Sequence, residues 1–589
     1  MAKFSHWNNK KIAAQCVFPR LDIDSYLENK TYQNEIKELA KIGCGGFCIF
    51  QGNIETVKKV ISELQMLSEI PLLFCADFEN GLQMRLEDGT SFPHSMALAK
   101  TGSYTFTVAQ AIAKEAKELG VLWNLAPVCD INSNPKNPVI NVRSFGENSK
   151  IVTENILKYI EATQTENVAA CAKHFPGHGD TETDSHTNFP ILTKDFDELE
   201  QNELVPFSAA INGNTENCNN AVGAYAIRPD GININNTNIN NWGVCNTPLH
   251  SEKANEQKAS NKHTLSVMIG HLIVEKLDSE FPASLSKKIV TDLLRKKLNF
   301  DGIIVTDGLD MKSITNKYNS KEIAELAVNA GIDVLLIPEN PKEIIENIEL
   351  LIEKNEHLKE SLLETVNRIY NLKIWTKLIP RFATSDGTVK TFSEHLQLAL
   401  RAAVEATEVI FADHDNTVGA YCICPTIQQG VFNTPLHSEN ETVNNLIPLD
   451  ENKNYAAFSI IQKAEDIQAA SRFFTMLAGA TENDCDYAYL DETISEEELN
   501  ALKEGIVDAE FVIFALFFRG RGYVDSLASV EKINKILEHL SGGREFIVIF
   551  FGDPYIASTV EGKIKILTYS DSFASLAAAI MKLTGRKFE

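Results

Sequence analysis

Between residues 12 and 376, short apolar runs alternate with stretches whose apolar positions recur every three or four residues. The runs cover 12–18, 43–50, 71–76, 122–128, 168–173, 265–271, 302–306 and 332–337, several of them bounded by Gly, Pro or Asp. The intervening stretches, such as 32–39 and 320–330, carry the helical period. Short continuous apolar runs fit strands buried on both faces, as in a parallel sheet. Strand–helix alternation predicts parallel βαβ units, and eight of them predict a closed (β/α)8 barrel. In that fold the chemistry sits at the C-terminal ends of the strands. The rule selects Asp77, Lys173, His174, His271 and Asp307, each at or just past the end of a run.

A helical stretch over 342–378 closes this first unit, and Pro380-Arg381-Phe382 leads out of it. The expected organisation is a catalytic TIM-like barrel over 1–380, a linker over 381–392 and an α/β sandwich domain over 393–589. The second unit again alternates strand-like runs (456–460, 511–517, 546–551, 564–569) with helical ones. One repeat interrupts both units: Val-Gly-Ala-Tyr at 222–225 and 418–421, each copy followed by Asn-Thr-Pro-Leu-His-Ser-Glu, at 246–252 and 433–439. The copies lie too far apart to stack as a solenoid. They read as two insertions of one sequence element, in loops over 212–262 and 416–442, or alternatively as partner-binding loops. The first joins a helix to a strand, and such connections lie on the barrel face opposite the active site.

Composition narrows the function classes. The chain has 589 residues, 44% hydrophobic and 23% charged, with a net charge of −25. Such an acidic surface argues against a nucleic-acid partner, which requires a basic face. No run reaches the roughly 20 apolar residues that span a bilayer, and the first 15 residues lack a signal-peptide apolar core. The 11 cysteines are scattered without a CxxC pair, which suits reduced, buried thiols rather than zinc. A soluble cytoplasmic protein without metal or organic cofactor is expected.

The most specific motif is Lys173-His174-Phe175-Pro176-Gly177-His178-Gly179-Asp180-Thr181-Glu182-Thr183-Asp184-Ser185-His186. Two basic residues leave an apolar run, and a Gly/Pro loop ends with an Asp and a His two residues apart. A second motif, Val305-Thr306-Asp307-Gly308-Leu309-Asp310, carries a carboxylate off a strand end into a turn. By position alone Asp307 is either a nucleophile or a helix cap. An imidazole near its ordinary pKa of about 6.5 gives and takes protons around neutrality, and an adjacent carboxylate holds its second nitrogen.

Together these segments resemble family 3 glycoside hydrolases, in the β-N-acetylglucosaminidase branch where a His-Asp dyad replaces the usual carboxylic acid. The resemblance covers both units, with specific motifs only in the first. It implies Asp307 as nucleophile, His186 as acid/base and Asp184 as its partner. It also implies sugar contacts from Asp77, Arg85, Arg143, Lys173 and His174. Asp77 opens a segment similar to the family's Asp-x-Glu-Gly-Gly, from which this chain departs at Asn80 and Leu82. Arg143 lies in a segment similar to the family's Arg-Ser-Phe-Gly, with Asn141-Val142 ahead of it where Gly-Asp is usual. His178 and His271 leave two readings open, packing behind the site or contact with substrate.

The expectation is a retaining exo-β-N-acetylglucosaminidase acting on peptidoglycan-derived muropeptides. Alternatives are a phosphorylase using phosphate in place of water, a β-glucosidase on the same fold, and a sugar-binding protein without turnover.

Overall fold

The structure is a computed structural model. It describes residues 4, 6–181, 189–213, 263–379, 393–412, 418–421, 449, 454–461, 466–481, 486–491, 494–518 and 526–584. Eight parallel strands close into a barrel. The first is Val17–Phe18, continued beyond Pro19 as Arg20–Asp22; the others are Gly46–Phe50, Leu73–Ala76, Trp123–Asn124, Ala169–Phe175, Ser266–Ile269, Ile303–Thr306 and Leu335–Leu336. Closure is made by Val17 and Phe18 pairing with Leu335 and Leu336, and by a parallel bridge from Val305 to Val334. The interior is filled rather than hollow, by Phe18, Leu73, Trp123, Met268 and Val305 among others. Trp123 reaches a partner there, its indole N–H donating to Ser266 Oγ at 2.8 Å.

The first apolar run divides differently from expectation. Residues 12–15 belong to the helix Asn9–Gln15, capped by the Asn8 side chain, and only Val17–Phe18 is strand. A run that is buried throughout has no period to separate a buried helix from a strand. The fifth strand extends beyond its predicted end, so Lys173 and His174 lie within it. The segment 381–392 and residues 214–262 lie outside the described residues. Helix Leu204–Asn212 and strand Ser266–Ile269 flank the latter, so it is a helix-to-strand connection.

The second unit is a seven-stranded sheet in the order Val418–Tyr421, Glu408–Ala412, Ile564–Leu567, Phe546–Gly552, Phe511–Phe518, Tyr455–Ile461, Asp486–Leu490. Glu408–Ala412 runs antiparallel to both neighbours and the other pairings are parallel. The central strands are buried along nearly their whole length because separate apolar clusters cover the two faces. This is an α/β sandwich. The second repeat begins as an edge strand, Val418–Tyr421, rather than as loop.

The two units interlock. Met96, Ala97 and Val142 of the barrel join the second unit's core, while Ala399, Ala402, Ala403, Ala574 and Ala578 join the barrel's. Polar ties cross the same boundary, including Asn132 Nδ2 to the Tyr555 hydroxyl at 2.9 Å and His94 Nδ1 to Ser570 Oγ at 2.8 Å.

Candidate active site

A cavity of about 1360 Å³ opens over the C-terminal ends of the barrel strands. Its wall includes Asp77, Glu79, Arg85, Arg143, Lys173, His174, His178 and Asp307 from the barrel, and Ile467, Arg472, Asp571 and Phe573 from the second unit. Four barrel strands or the segments after them supply these side chains, so residues far apart in sequence converge on one mouth.

The fifth strand is central. The peptide joining Lys173 and His174 is cis, the ladder slips register between Ala172 and Phe175, and both side chains line the cavity. Lys173 is 2% exposed and bridges two carboxylates, Asp77 Oδ1 at 2.8 Å and Glu79 Oε1 at 2.7 Å. Asp77 Oδ2 also takes Arg85 at 2.7 Å. Glu79 receives the Arg143 guanidinium on both oxygens, at 2.7 and 3.0 Å. Burial alone would raise both carboxylates; the surrounding cations overcome it and hold Asp77 and Glu79 below their ordinary range.

A second buried carboxylate, Asp130, braces the histidines. Its oxygens accept His174 Nδ1–H at 2.7 Å, the His174 backbone N–H, and the His178 backbone N–H at 2.7 Å. Burial pushes its pKa up, but the two histidines and their hydrogen bonds bring it below the usual value. An ionised carboxylate only accepts, so Nδ1 of His174 carries the proton and Nε2 is left toward Arg143, 3.4 Å away. The loop that follows needs its glycines. A Cβ on Gly179 would fall 1.6 Å from the Ile131 carbonyl oxygen, and Gly177 has φ +124°.

Asp307 is placed differently. It leaves the seventh strand, and its Oδ1 accepts the Gly308 N–H at 2.8 Å. The following helix, Lys312–Thr315, starts after Met311 without a side-chain cap, so Asp307 does not serve as one. Burial raises its pKa, but the charges of His174 and His271, the Gly308 N–H and Lys173 outweigh it and favour the anion. His271 is fully buried and holds the turn, with Nε2 2.9 Å from the Gly308 carbonyl oxygen and Nδ1 2.7 Å from Ser284 Oγ. Among the described residues Asp307 makes no ion pair, in contrast to Asp77 and Glu79.

The structure thus brings Asp77, Arg85, Arg143, Lys173, His174 and Asp307 together around one cavity. Asp184 and His186 lie outside the described residues. Arg85 and Arg143, which single-residue reasoning would make surface ion-pair partners, do pair, but at the wall of the cavity. Both departures from the family pattern have local accommodation. Asn80 Nδ2 donates to the Phe92 carbonyl at 3.1 Å and ties the loop down, and Leu82 is buried in the barrel core. Asn141 adopts φ +39°, a conformation that Asn tolerates better than most residues, where Gly is usual. Glu79 and Asp130 were not selected from the sequence. Glu79 stands two residues after Asp77, and Asp130 two after the run 122–128, so the strand-end rule would have reached both.

A closed parallel barrel with a mouth full of paired charges and one unpaired strand-end carboxylate defines a barrel enzyme site. The family model described as Glycosyl hydrolase family 3 N terminal domain matches residues 12–226 and 253–372, and the chain belongs to that family. Its match breaks off over 227–252, inside the first of the two expected insertions, 212–262. The chain is 31% identical over 431 residues to Beta-hexosaminidase A of Pseudoalteromonas piscicida, covering 68% of this chain and 66% of that one. It is 29% identical over 315 residues to a Beta-N-acetylglucosaminidase/beta-glucosidase of Cellulomonas fimi, covering 53% and 49%. The chain therefore spans about two thirds and about half of these relatives' lengths. A solved structure of a family 3 β-N-acetylglucosaminidase from Paenibacillus sp. str. FPU-7 shares the fold with a TM-score of 0.73 at 24% identity, over 98% of this chain and 96% of that one.

Proposed function

We propose that the chain is a retaining exo-β-N-acetylglucosaminidase that releases terminal β-linked N-acetylglucosamine from peptidoglycan-derived muropeptides. The carrying observation is Asp307: an anion at a strand end, in the cavity wall, with no cation engaged to it among the described residues. A nucleophile must offer an uncommitted oxygen to the anomeric carbon. One Asp307 oxygen attacks that carbon while His186 gives its proton to the departing glycosidic oxygen. His186 then takes a proton from water, which attacks the same carbon and frees Asp307. Asp184 steadies the protonated imidazole.

The wall supports this chemistry electrostatically. Asp77, Glu79 and Asp307 of the wall and Asp130 behind it are held ionised, four carboxylates against the three cations Arg85, Arg143 and Lys173. A site with surplus negative charge favours the oxocarbenium-like transition state. The acetamido sugar rests on the family resemblance and the relatives' names, and the muropeptide on the resemblance alone. No helix among the described residues is long and apolar enough to cross a membrane.

The test is nitrophenol release from the β-N-acetylglucosaminide and the β-glucoside by wild type, Asp307→Ala and His186→Ala. The acetamido sugar should be the one cleaved, and Asp307→Ala should lower kcat by more than about 10³-fold. Preference for the glucoside overturns the substrate assignment. Sugar 1-phosphate formed in phosphate buffer replaces hydrolysis by phosphorolysis, and binding without turnover removes the enzymatic reading.

A further inference from the structure

His178 is a polar residue of the cavity wall that the mechanism above does not use. It is 1% exposed, lines the cavity, and its Nε2 is buried without a hydrogen-bond partner among the described residues. Every other polar atom of the residue is anchored. Its N–H donates to Asp130 at 2.7 Å, its carbonyl accepts from Asn137 Nδ2 at 2.8 Å, and its Nδ1 lies 2.8 Å from Thr181 Oγ1. The ring also packs edge-on against His174, with centroids 6.1 Å apart. A buried polar atom without a partner costs folding free energy, so a ring held this firmly with one edge unsatisfied marks a binding surface.

Burial above all pushes the ring pKa down to about 4, so the imidazole is neutral near pH 7. A neutral imidazole carries one N–H and one bare nitrogen. Thr181 Oγ1 has a single proton and two acceptors within reach, His178 Nδ1 and the His178 carbonyl, the latter at 2.9 Å. Nε2 is accordingly a donor in one tautomer and an acceptor in the other. A hydroxyl group both donates and accepts, so it satisfies either tautomer; a carbonyl or carboxylate satisfies only one. Asp307 lines the same cavity, so a sugar attacked by Asp307 sits in the space that His178 also borders.

We propose that His178 is a substrate-contacting residue whose Nε2 hydrogen-bonds one ring or side-arm hydroxyl of the sugar seated against Asp307. The inference rests on the glycosidase reading above and adds a contact to it. Asp130 then has two tasks, setting the His174 tautomer and positioning the backbone of His178.

The experiment is a cycle between residue and hydroxyl. Wild type and His178→Phe are assayed on nitrophenyl β-N-acetylglucosaminide and on its 3-, 4- and 6-deoxy counterparts. One deoxy sugar should lose about ten-fold in kcat/KM with wild type and nothing further with His178→Phe, because its partner is already gone. His178→Asn, too short to reach the cavity but still polar toward Thr181, gives the same readout should the Phe variant not fold. A purely structural His178 would lower activity on all four sugars by one common factor, and equal deoxy penalties in wild type and variant overturn the contact. Absence of turnover by folded wild type on the parent glycoside sinks the glycosidase reading itself, and this contact with it.

Discussion

The barrel mouth and the strand ends of the second unit's sheet both bury acidic groups, and they treat them in opposite ways. Glu79 and Asp77 are enclosed among Lys173, Arg85 and Arg143, and their pKa values fall. Asp553, directly after the second unit's strand Phe546–Gly552, is 5% exposed and accepts the Tyr555 N–H at 2.9 Å, with no ion pair to a described cation. Burial pushes it up to about 6. The lesson concerns division of labour. The barrel supplies fixed, compensated charge for chemistry, whereas the second unit closes over the cavity and contributes its rim. That rim carries exposed apolar groups, Phe573 at 48% and Ile467 at 41%, beside Arg472.

The largest stability effect should come from breaking the barrel's cage. Glu79→Gln keeps the shape but leaves Arg143 and Lys173 short of negative charge. Removing one partner of a buried ion network costs about 3–5 kcal/mol, readable by chemical denaturation at pH 7. The pH dependence follows from the sign. A depressed carboxylate stabilises the fold above its unfolded pKa, near 4.5 for Glu, and that contribution fades as pH falls toward the lower folded value. The wild type should therefore lose stability below about pH 4.5 more steeply than Glu79→Gln; parallel curves would mean that Glu79 is not held ionised.

Asp553→Asn tests the other side. A carboxyl raised from 3.8 to about 6 contributes fully below the lower value, and its contribution is lost as pH rises through the upper one. The Asn variant escapes that loss, so it should be more stable than wild type by up to about 3 kcal/mol above pH 6, and by little below pH 4. A variant less stable at pH 7 would show that an unrecognised cation holds Asp553. Had the two regions followed one rule, both substitutions would shift stability in the same direction.

The smallest effect belongs to the rim. Phe573→Ala should reduce kcat/KM by about two- to ten-fold for a disaccharide whose leaving sugar can lie on the ring. Hydrolysis of the corresponding glycosyl fluoride, whose leaving group is one atom, should fall less. Equal losses on both substrates would move Phe573 from leaving-group contact to general support of the cleft.

Much of this was legible along the chain. The runs 43–50, 71–76 and 302–306 read as strands because a parallel strand is buried on both faces and shows uninterrupted apolar sequence. Run 12–18 misled for the same reason, since the buried helix Asn9–Gln15 looks alike. Asp307 and Lys173 were found because strand ends and turn glycines are local signals. Asp130 was not, because its importance comes from His174, 44 residues away, and Glu79 acts through Arg143, 64 residues away.

The amino-acid order by itself determined the alternation of strand and helix and the chemical types waiting at the strand ends. Each of these depends on neighbours within a few residues, where the periodicity of burial is written directly. Which carboxylate keeps a free oxygen and which is neutralised, where His178 Nε2 points, and that the strand ends of a second sheet overhang the barrel were decided by the tertiary structure. Desolvation and ion pairing depend on which charges approach within a few ångströms, and that proximity exists only once distant segments have closed around the same cavity.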